Sequence, residues 1–413
     1  MVALLPEMRN KSPKESGAAQ SVSATAHPQK SVVTLGSRGY NGQGGRATPG
    51  SGPERGLTRA GARAGPGRGQ GGAGPLEGES PAPQSAPTGP DRLLGMRITV
   101  LAGGVGGARF LRGLKQAAPD AEITVIGNTG DDITLFGLRV CPDLDTVMYT
   151  LGGGIDEEQG WGRAGETFSI RAELAAYGAS PDWFTLGDRD FATHIRRSQL
   201  LAAGQPLSAV TEMLCQRWRP GVRLLPMSDD PIETHVVLAG PEQTVVHFQE
   251  WWVRLHAGVP AAEIIASGAV DAEPAPGVLD AIGAADVILF PPSNPVVSIG
   301  TILAVPGIRA AVAAKTVVGV SPIIGGAPVR GMADACLTAI GVATSAAAVA
   351  AHYGSGLIDG WLVDDQDKAA ADDPALAGIE VRALPLYMRD LPATTAIARA
   401  ALDLAAELAP GRA

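Results

Sequence analysis

"MRITVLAGGVGGARFLRGL" (residues 96–114) joins a compact apolar run to a glycine cluster and then to a segment with helical spacing. A second β-branched run, "EITVIGN", follows at 122–128. A strand, a glycine-rich turn, a helix and another strand within about thirty residues are typical of a βαβ unit. Because parallel strands need such a crossover connection, these residues predict a parallel sheet.

The same alternation of strand and helix returns in the second half of the chain. The further predicted strands are "ADVILF" (285–290), "TVVGV" (316–320), "GWLVDD" (360–365) and "VRALPL" (381–386). Segments with helical periodicity lie between them or after them. We therefore expect an α/β protein with a doubly wound, Rossmann-like three-layer α/β/α core, in which helices cover both faces of the sheet.

The middle of the chain has a different pattern. Segments with helical periodicity are followed by two alternating segments around "AGPEQ" (239–243), which is typical of a β-hairpin. We predict a helical insert and a small antiparallel β-ribbon over 155–256. The Rossmann-like core would then consist of 96–154 and 257–413, which together with the insert make one domain, 96–413.

Residues 1–95 differ in composition from the rest of the 413-residue chain. They contain 19 Gly and 11 Pro, and 11 basic against 6 acidic residues. A segment with so little apolar residue content cannot bury enough surface to offset its chain entropy, so we expect it to be disordered. We also expect the folded protein to start at Met96, with the upstream residues read as a mis-assigned leader.

Composition also excludes several classes of function. The 96–413 segment has 22 basic and 36 acidic residues, which argues against nucleic acid as a partner. No apolar run approaches the length of a membrane span, so we expect no membrane insertion. The three cysteines are far apart and odd in number, which favours a reducing, cytoplasmic location over a disulfide framework or a zinc site.

The glycine cluster follows the first strand, where a doubly wound sheet binds its ligands. Gly103, Gly104, Gly106 and Gly107 would allow backbone N–H groups to approach a phosphate. The dinucleotide fingerprint fails, because Arg109 stands where its third glycine belongs and no acidic residue ends the second strand. A tight strand-to-helix turn explains the cluster almost as well.

Four aspartates follow the second strand within fifteen residues. Asp131 and Asp132 lie beside Asn128, and Asp143 and Asp145 begin the segment "DLDTVMYTL". Carboxylates at a phosphate-binding edge suit Mg²⁺, which prefers oxygen ligands and shares phosphates with its substrate. We interpret Asp143 as a helix cap. Asp145 is the favoured ligand, while the choice between Asp131 and Asp132 stays open.

Two further loops carry candidate binding residues. Ser293 and Asn294 stand between prolines after a buried strand, where their hydroxyl, amide and backbone groups suit a nucleotide phosphate or sugar. Arg189 precedes a predicted helix and would face a ligand. Arg196 and Arg197 lie within that helix, and we interpret them as part of a solvated face.

Together, these segments closely resemble one family, the 2-phospho-L-lactate transferases of coenzyme F420 biosynthesis, and in particular its actinobacterial phosphoenolpyruvate transferase branch. The resemblance covers nearly all of 96–410. The segments that carry it are "MRITVLAGGVGGARFLRGL", "NTGDD", "CPDLDTVMYTLGGGID", "WFTLGDRDFATH", "HFQEWWVR", "PPSNPVVSIGTIL" and "SPIIGG".

The resemblance implies a phosphoryl-type transfer. The acceptor would be the deazaflavin Fo, and the donor a guanosine diphosphate adduct: enolpyruvyl-diphospho-5'-guanosine, or lactyl-2-diphospho-5'-guanosine in the archaeal branch. The products would be GMP and dehydro-F420-0, or F420-0. The resemblance also implies a Mg²⁺ cofactor and a homodimer.

The resemblance assigns roles to individual residues as well. Asp145 lies at the family position that contacts Fo, and Arg189 replaces the lysine of the family's "GDKD" motif, which also contacts Fo. We expect Asp131 and Asp145 to hold Mg²⁺ and to be catalytic. The glycine loop, Asn128, Ser293 and Asn294 would bind the donor. The alternatives from other classes are a nicotinamide-dependent oxidoreductase and a non-catalytic nucleotide-binding protein.

Overall fold

Seven parallel strands form the central sheet. The computed structural model describes residues 32–34 and 95–409. In chain order the strands of this sheet are β2 (Arg97–Ala102), β3 (Glu122–Gly127), β6 (Arg223–Pro226), β10 (Val287–Phe290), β11 (Val317–Val320), β14 (Gly360–Val363) and β15 (Glu380–Ala383). All of their pairings are parallel.

The order of these strands across the sheet is β15-β14-β11-β10-β2-β3-β6. Numbered along the chain, this is 3-2-1-4-5-6-7, which extends the Rossmann order by one strand. The chain moves outward from β2 in one direction, returns, and continues from β10 in the other. The predicted doubly wound α/β fold is confirmed, and its point of reversal lies between β2 and β10.

Helices cover both faces of the sheet. They are α1 (Gly104–Ala117), α2 (Pro142–Leu151), α3 (Ser169–Ala176), α4 (Asp188–Ala202), α5 (Leu207–Trp218), α6 (Val278–Ala284), α7 (Thr301–Ala304), α8 (Ile308–Ala313), α9 (Ala333–Ala339), α10 (Ala346–Tyr353) and α11 (Leu391–Leu408). None of these helices within 95–409 is both long enough and apolar enough to cross a membrane.

Alternate residues of β2 belong to two different hydrophobic cores. Ile98 and Val100 pack with α1, α2, α5 and α11 on one face. Leu101 packs in the other core, with residues from α6 to α10. All three side chains are almost completely buried, and burial of each stabilises the fold by roughly 1.5–3 kcal/mol. A strand buried on both faces explains the continuous apolar run in the sequence.

The boundary of the predicted insert needs one correction. Residues 155–222 contain α3, α4 and α5, as expected for a helical insert. However, β6 (Arg223–Pro226) pairs in parallel with β3 and forms the edge of the central sheet. It is only four residues long, so its periodicity could not be separated from that of the hairpin that follows.

A second, smaller sheet contains the predicted hairpin. Strands β7 (Glu233–Leu238) and β8 (Val245–His247) pair antiparallel, with His235 opposite His247. The second arm ends at His247, earlier than predicted, because residues Glu250–Arg254 form a π-helix. Strand β9 (Ala261–Ser267) pairs with β7 on its other side. The predicted antiparallel ribbon is therefore confirmed, and β9 extends it on one side.

The remaining edge of β9 pairs with residues from the N-terminal segment. Strand β1 (Val32–Thr34) runs antiparallel to β9, with Val33 opposite Ala266. These three residues form a strand, which differs from the disorder predicted for 1–95. The rest of that prediction lies outside the described residues.

Two short hairpins complete the strands. Strands β4 (Ile133–Leu135) and β5 (Leu138–Val140) pair antiparallel between β3 and α2. Strands β12 (Ile323–Ile324) and β13 (Ala327–Pro328) pair in the loop after β11. Both hairpins follow the carboxyl ends of central strands, so they help to build the rim where a doubly wound sheet binds ligands.

Candidate active site

The loops after β2 and β10 are joined by hydrogen bonds at the point where the strand order reverses. The Ser293 hydroxyl donates to the carbonyl oxygen of Gly103 at 2.7 Å. The same hydroxyl accepts from the Gly103 N–H at 3.2 Å. Ser293 is 4% exposed, and both of these hydrogen bonds connect its side chain to the loop after β2. Binding of a substrate by Ser293 stays a prediction.

The glycines of the first loop are needed because other protein atoms approach them closely. A Cβ added to Gly106 would lie 2.2 Å from the Pro292 carbonyl oxygen, and one added to Gly103 would lie 2.4 Å from Asp143 Oδ2. A Cβ added to Gly107 would lie 2.7 Å from Ser293 Oγ. Gly104 has a φ of +66°, a conformation that favours glycine. Close packing therefore accounts for the cluster without any bound phosphate.

Substitution of Gly106 by alanine should destabilise the protein by about 1–3 kcal/mol, because the new methyl group meets a backbone oxygen that cannot move freely. Gly283 is the matched control. It also lies in a helix, α6, but no atom lies within 4 Å of its would-be Cβ. Gly283→Ala should stabilise the protein by about 0.5–1 kcal/mol. Denaturant unfolding measures the change in unfolding free energy of both variants. Equal changes would show that the contact with Pro292 does not restrict Gly106.

Asn128 and Asp143 form a buried connection between the loop after β3 and helix α1. Asn128 Nδ2 donates to Asp143 Oδ2 at 2.9 Å, and Asn128 Oδ1 accepts from the Gly130 N–H at 2.9 Å. Asp143 Oδ1 accepts from the Gly104 N–H at 2.8 Å. Helix α2 has no side-chain cap, and Cys141 precedes its first residue. The interpretation of Asp143 as a cap is therefore wrong.

Asn294 stabilises a helix N-terminus. Its Oδ1 accepts from the N–H groups of Val296 at 2.9 Å and Val297 at 3.3 Å, which begin the π-helix Pro295–Gly300. Its Nδ2 donates to Cys336 Sγ at 3.5 Å. Since both ends of the amide have protein partners, the predicted contact of Asn294 with a donor has no support in the hydrogen bonds of the described residues.

Asp131 and Asp132 are buried carboxylates with few partners. Asp131 Oδ1 and both oxygens of Asp132 lack a hydrogen-bond partner among the described residues. Burial raises the pKa of Asp131 well above its usual value, and the negative charge of Asp143 raises it further. Burial also raises the pKa of Asp132 to about 7, although Arg139 at 3.5 Å opposes that shift. A bound cation would stabilise the charged form of both carboxyl groups.

The raised pKa of Asp132 predicts a pH dependence of stability in chelator-treated protein. The folded state holds a proton on this carboxyl up to about pH 7, whereas the unfolded state releases it near pH 4. The contribution of Asp132 to stability is therefore lost as the pH rises through this interval. Asp132→Asn should become more stable relative to the unaltered protein from pH 4 to 7. A constant difference in unfolding free energy would contradict this expectation.

Asp145 is held by a buried arginine. Arg197 Nη2 donates to Asp145 Oδ1, and the Arg197 side chain is 1% exposed. Burial alone would lower the pKa of Arg197, but the Asp145 carboxylate raises it above its usual value. Asp145 Oδ2 lacks a hydrogen-bond partner among the described residues and lies 3.8 Å from His194 Nδ1. One carboxylate oxygen is thus fixed by Arg197, and the other is available.

Two further side chains of α4, His194 and Asp190, lie on the same face of the helix as Arg197 and extend these contacts. Arg197 Nη1 lies 3.2 Å from His194 Nδ1, and His194 Nε2 lies 3.5 Å from Asp190 Oδ1. The Tyr149 hydroxyl donates to Asp190 at 2.7 Å. Burial would raise the pKa of Asp190, but its contacts with His194 and Tyr149 and the positive charge of Arg197 together lower that pKa. The network links α4 to Asp145 and Tyr149 of α2.

Sequence reasoning missed this network. The interpretation of Arg197 as part of a solvated face is wrong, whereas its neighbour Arg196 is exposed. The signal that could have revealed it is the spacing of Asp190, His194 and Arg197 at i, i+4 and i+7, which places three ionisable side chains on one face of a helix.

Arg189 lies at the start of α4, as its second residue, rather than in a preceding loop. It is exposed, and its Nη1 donates to the Ala164 carbonyl oxygen at 3.1 Å. Its backbone N–H donates to Glu166 Oε2 at 2.7 Å. A contact between Arg189 and Fo stays a prediction.

The aspartates fit a metal ion that also binds a substrate. Within 95–409, no group of three or more His, Cys, Asp or Glu side chains is arranged to hold a metal by itself. However, buried carboxylate oxygens of Asp131, Asp132 and Asp145 lack hydrogen-bond partners among these residues. Mg²⁺ is commonly held by one or two carboxylates together with substrate phosphates. The donor set therefore suits Mg²⁺ in the presence of a phosphate ligand.

The strand order and the joined loops place the chain among the doubly wound α/β proteins that bind ligands at the reversal point of the sheet. Residues 98–380 match the family model described as 2-phospho-L-lactate transferase CofD. The chain belongs to this family.

Individual relatives agree with the family model. The chain is 70% identical over 322 residues to a phosphoenolpyruvate transferase from Thermobifida fusca, which covers 76% of this chain and 99% of that protein. It is also 70% identical over 316 residues to one from Streptomyces coelicolor, with the same coverage. A solved UPF0052-family protein from Bacillus halodurans is similar in fold, with a TM-score of 0.50 at 18% identity, and covers 75% of this chain and 99% of that one.

These similarities confirm the predicted family. They give no support to a nicotinamide-dependent oxidoreductase or to a non-catalytic nucleotide-binding protein. The homodimer, the cytoplasmic location and the absence of a nucleic-acid partner stay predictions.

Proposed function

We propose that the chain transfers the phosphoenolpyruvate moiety of enolpyruvyl-diphospho-5'-guanosine to the terminal ribityl hydroxyl of Fo. The products are dehydro-F420-0 and GMP. The observation that carries this proposal is the 70% identity to phosphoenolpyruvate transferases over 99% of their length. The lactyl donor, which would give F420-0, is the second candidate because the family model is that of 2-phospho-L-lactate transferases.

The transfer exchanges one phosphorus–oxygen bond for another. The ribityl oxygen forms a bond to the phosphorus that carries the three-carbon acid. The bond from that phosphorus to the bridging oxygen breaks, and GMP leaves with the electron pair. The hydroxyl proton passes to a base. Such reactions depend on positioning and on neutralising charge more than on covalent help from the protein.

Asp145 supplies the base or orienting group in this proposal. Its Oδ1 is bonded to Arg197, so the carboxylate has a fixed orientation. Its Oδ2 is buried and has no partner among the described residues, which leaves it available to accept a hydrogen bond from the Fo hydroxyl. A positioned carboxylate of this kind contributes roughly 10²–10⁴-fold to the rate of a proton-transfer step.

Mg²⁺ is the proposed cofactor. Asp131 and Asp145 would hold it, and the bound ion would neutralise negative charge on the diphosphate. Asp145 has only one available oxygen, so a metal ion and the Fo hydroxyl would compete for it. Asp132 is the alternative to Asp131 as a ligand, because neither of its oxygens has a hydrogen-bond partner among the described residues and its pKa is influenced by Asp145.

A comparison of the two donors tests the function. The purified chain is incubated with Fo, Mg²⁺ and either donor, and the products are separated by chromatography with mass detection. We expect dehydro-F420-0 and GMP in equal amounts from the enolpyruvyl donor. Equal or faster turnover with the lactyl donor would favour the second candidate. No deazaflavin product from either donor would refute both.

Substitution of each carboxylate in turn should show whether Asp131 or Asp132 is the metal ligand. Asp131→Asn should abolish the increase in melting temperature that Mg²⁺ produces in the presence of guanosine diphosphate, because a ligand that binds only the folded state stabilises it. Asp132→Asn should retain the increase if Asp131 is the ligand. The reverse pattern would assign the metal to Asp132, and an unchanged increase in both variants would contradict a metal at these carboxylates.

A further inference from the structure

The backbone of the adjacent aspartates Asp131 and Asp132 is held by two side chains at the end of β8. Gln249 Nε2 donates to the Asp131 carbonyl oxygen at 3.3 Å. His247 Nε2 lies 3.2 Å from the Asp132 carbonyl oxygen. Both side chains belong to the segment "HFQEWWVR" (247–254). One short segment therefore holds two consecutive peptide groups of the loop that carries the aspartates.

The hydrogen bonds within this segment also determine which nitrogen of His247 is the donor. The Gln249 N–H donates to His247 Nδ1 at 3.0 Å, so Nδ1 carries the lone pair of a neutral imidazole. The ring hydrogen therefore lies on Nε2, which donates to the Asp132 carbonyl oxygen. Across the strand pair, the His235 ring packs edge-on against the His247 ring, with centroids 5.7 Å apart. The orientation of the His247 ring is thus set by three neighbours.

Strand β7 holds the same loop from its other side. The Thr234 N–H donates to the Gly130 carbonyl oxygen at 2.6 Å. Arg139 Nη2 lies 3.5 Å from Asp132 Oδ2, and Arg139 Nη1 lies 3.6 Å from Glu233 Oε1. The loop is therefore bonded to β7 and to the end of β8 through successive carbonyl groups. Fixed peptide groups restrict the directions in which the attached carboxylates can point.

We propose that His247 and Gln249 are positioning residues, which orient the carboxylates of Asp131 and Asp132 toward Mg²⁺ and the substrate. The inference rests on the proposed function, which supplies both. The two side chains act through the backbone of the aspartates and contact neither the metal ion nor the substrate. Gln249 is buried, so loss of its amide would leave the Asp131 carbonyl oxygen without this partner. Groups that orient metal ligands contribute roughly tenfold to a hundredfold to metal affinity or activity.

The experiment titrates Mg²⁺ against the melting temperature of the full chain in the presence of guanosine diphosphate. Gln249→Met and His247→Phe keep the approximate size of each side chain but remove the N–H donor. Each should raise the Mg²⁺ concentration that produces a given increase in melting temperature by about tenfold to a hundredfold. Gln216→Met is the matched control. Gln216 is exposed in α5, so its loss should change that concentration by less than about twofold.

Conservative variants and kinetics separate positioning from a role in folding alone. Gln249→Asn and His247→Gln keep an N–H donor and should give intermediate Mg²⁺ requirements, which preserves the comparison where a first variant fails to fold. In the folded variants kcat should fall while the KM for Fo is unchanged.

Two results would overturn the inference. One is a lower melting temperature with the same Mg²⁺ requirement as Gln216→Met, and the other is no effect of Mg²⁺ on the unaltered chain. A raised Mg²⁺ requirement in the variants, when the unaltered chain makes no deazaflavin product, would retain the positioning role and refute the proposed function.

Discussion

Asp145→Asn should reduce turnover by about 10²–10⁴-fold at saturating donor and Fo, because the amide can neither accept the hydroxyl proton nor carry the negative charge that orients it. The substitution keeps the size of the side chain and its place in α2. Steady-state kinetics, carried out below the melting temperature of the variant, measures the effect. Asp403→Asn, on the exposed face of α11, is the control and should leave turnover unchanged.

A small loss of turnover in Asp145→Asn would show that the carboxylate is structural. The variant leaves the Arg197 guanidinium beside an amide, so some loss of stability is expected as well. The folded fraction must therefore be measured alongside the rate. A variant that is fully folded and still active would contradict the role assigned to Asp145.

Arg197→Ala should destabilise the protein by about 3–5 kcal/mol. The reason is that Asp145 would then be a buried carboxylate without its cation, and removal of one member of a buried pair leaves the other uncompensated. Arg196→Ala is the matched control. Arg196 is adjacent in α4 and exposed, so its loss should change stability by less than about 0.5 kcal/mol.

Denaturant unfolding of the two variants measures this difference. Equal stability of Arg197→Ala and Arg196→Ala would mean that the network of α4 and α2 contributes nothing to the fold. Arg197→Lys retains the charge but not the planar fork, and it should fall between alanine and the unaltered protein. The comparison also tests whether Asp145 is oriented by charge or by paired hydrogen bonds.

The fold could be predicted well because its signals are local and repeated. The strand, glycine turn, helix and strand of 96–128 imply a right-handed parallel unit almost by themselves. The strand β6 was missed because four residues carry too little periodicity. Strand β1 was missed because pairing with β9 joins segments more than two hundred residues apart, and nothing local in Val32–Thr34 indicates that partner.

The site could be predicted only in part. The sequence predicted Asp131, Asp132 and Asp145 near the carboxyl edge of the sheet, and in the structure they are buried with oxygens that lack hydrogen-bond partners among the described residues. The sequence could not show that Ser293 and Asn294 form hydrogen bonds within the protein. Hydrogen-bond partners depend on how loops that are distant in the chain come together. Arg197 was misjudged for the same reason.

A crystal structure of the chain with Fo bound is the most direct test of the role proposed for Asp145. We expect Asp145 Oδ2 to lie at about 2.6–3.2 Å from the terminal ribityl oxygen of Fo while Oδ1 stays bonded to Arg197. The same complex would show whether the acceptor hydroxyl faces the loops after β2 and β10. A terminal hydroxyl bound elsewhere, with Asp145 contacting only Arg197 and His194, would contradict a role of Asp145 in positioning or deprotonating Fo.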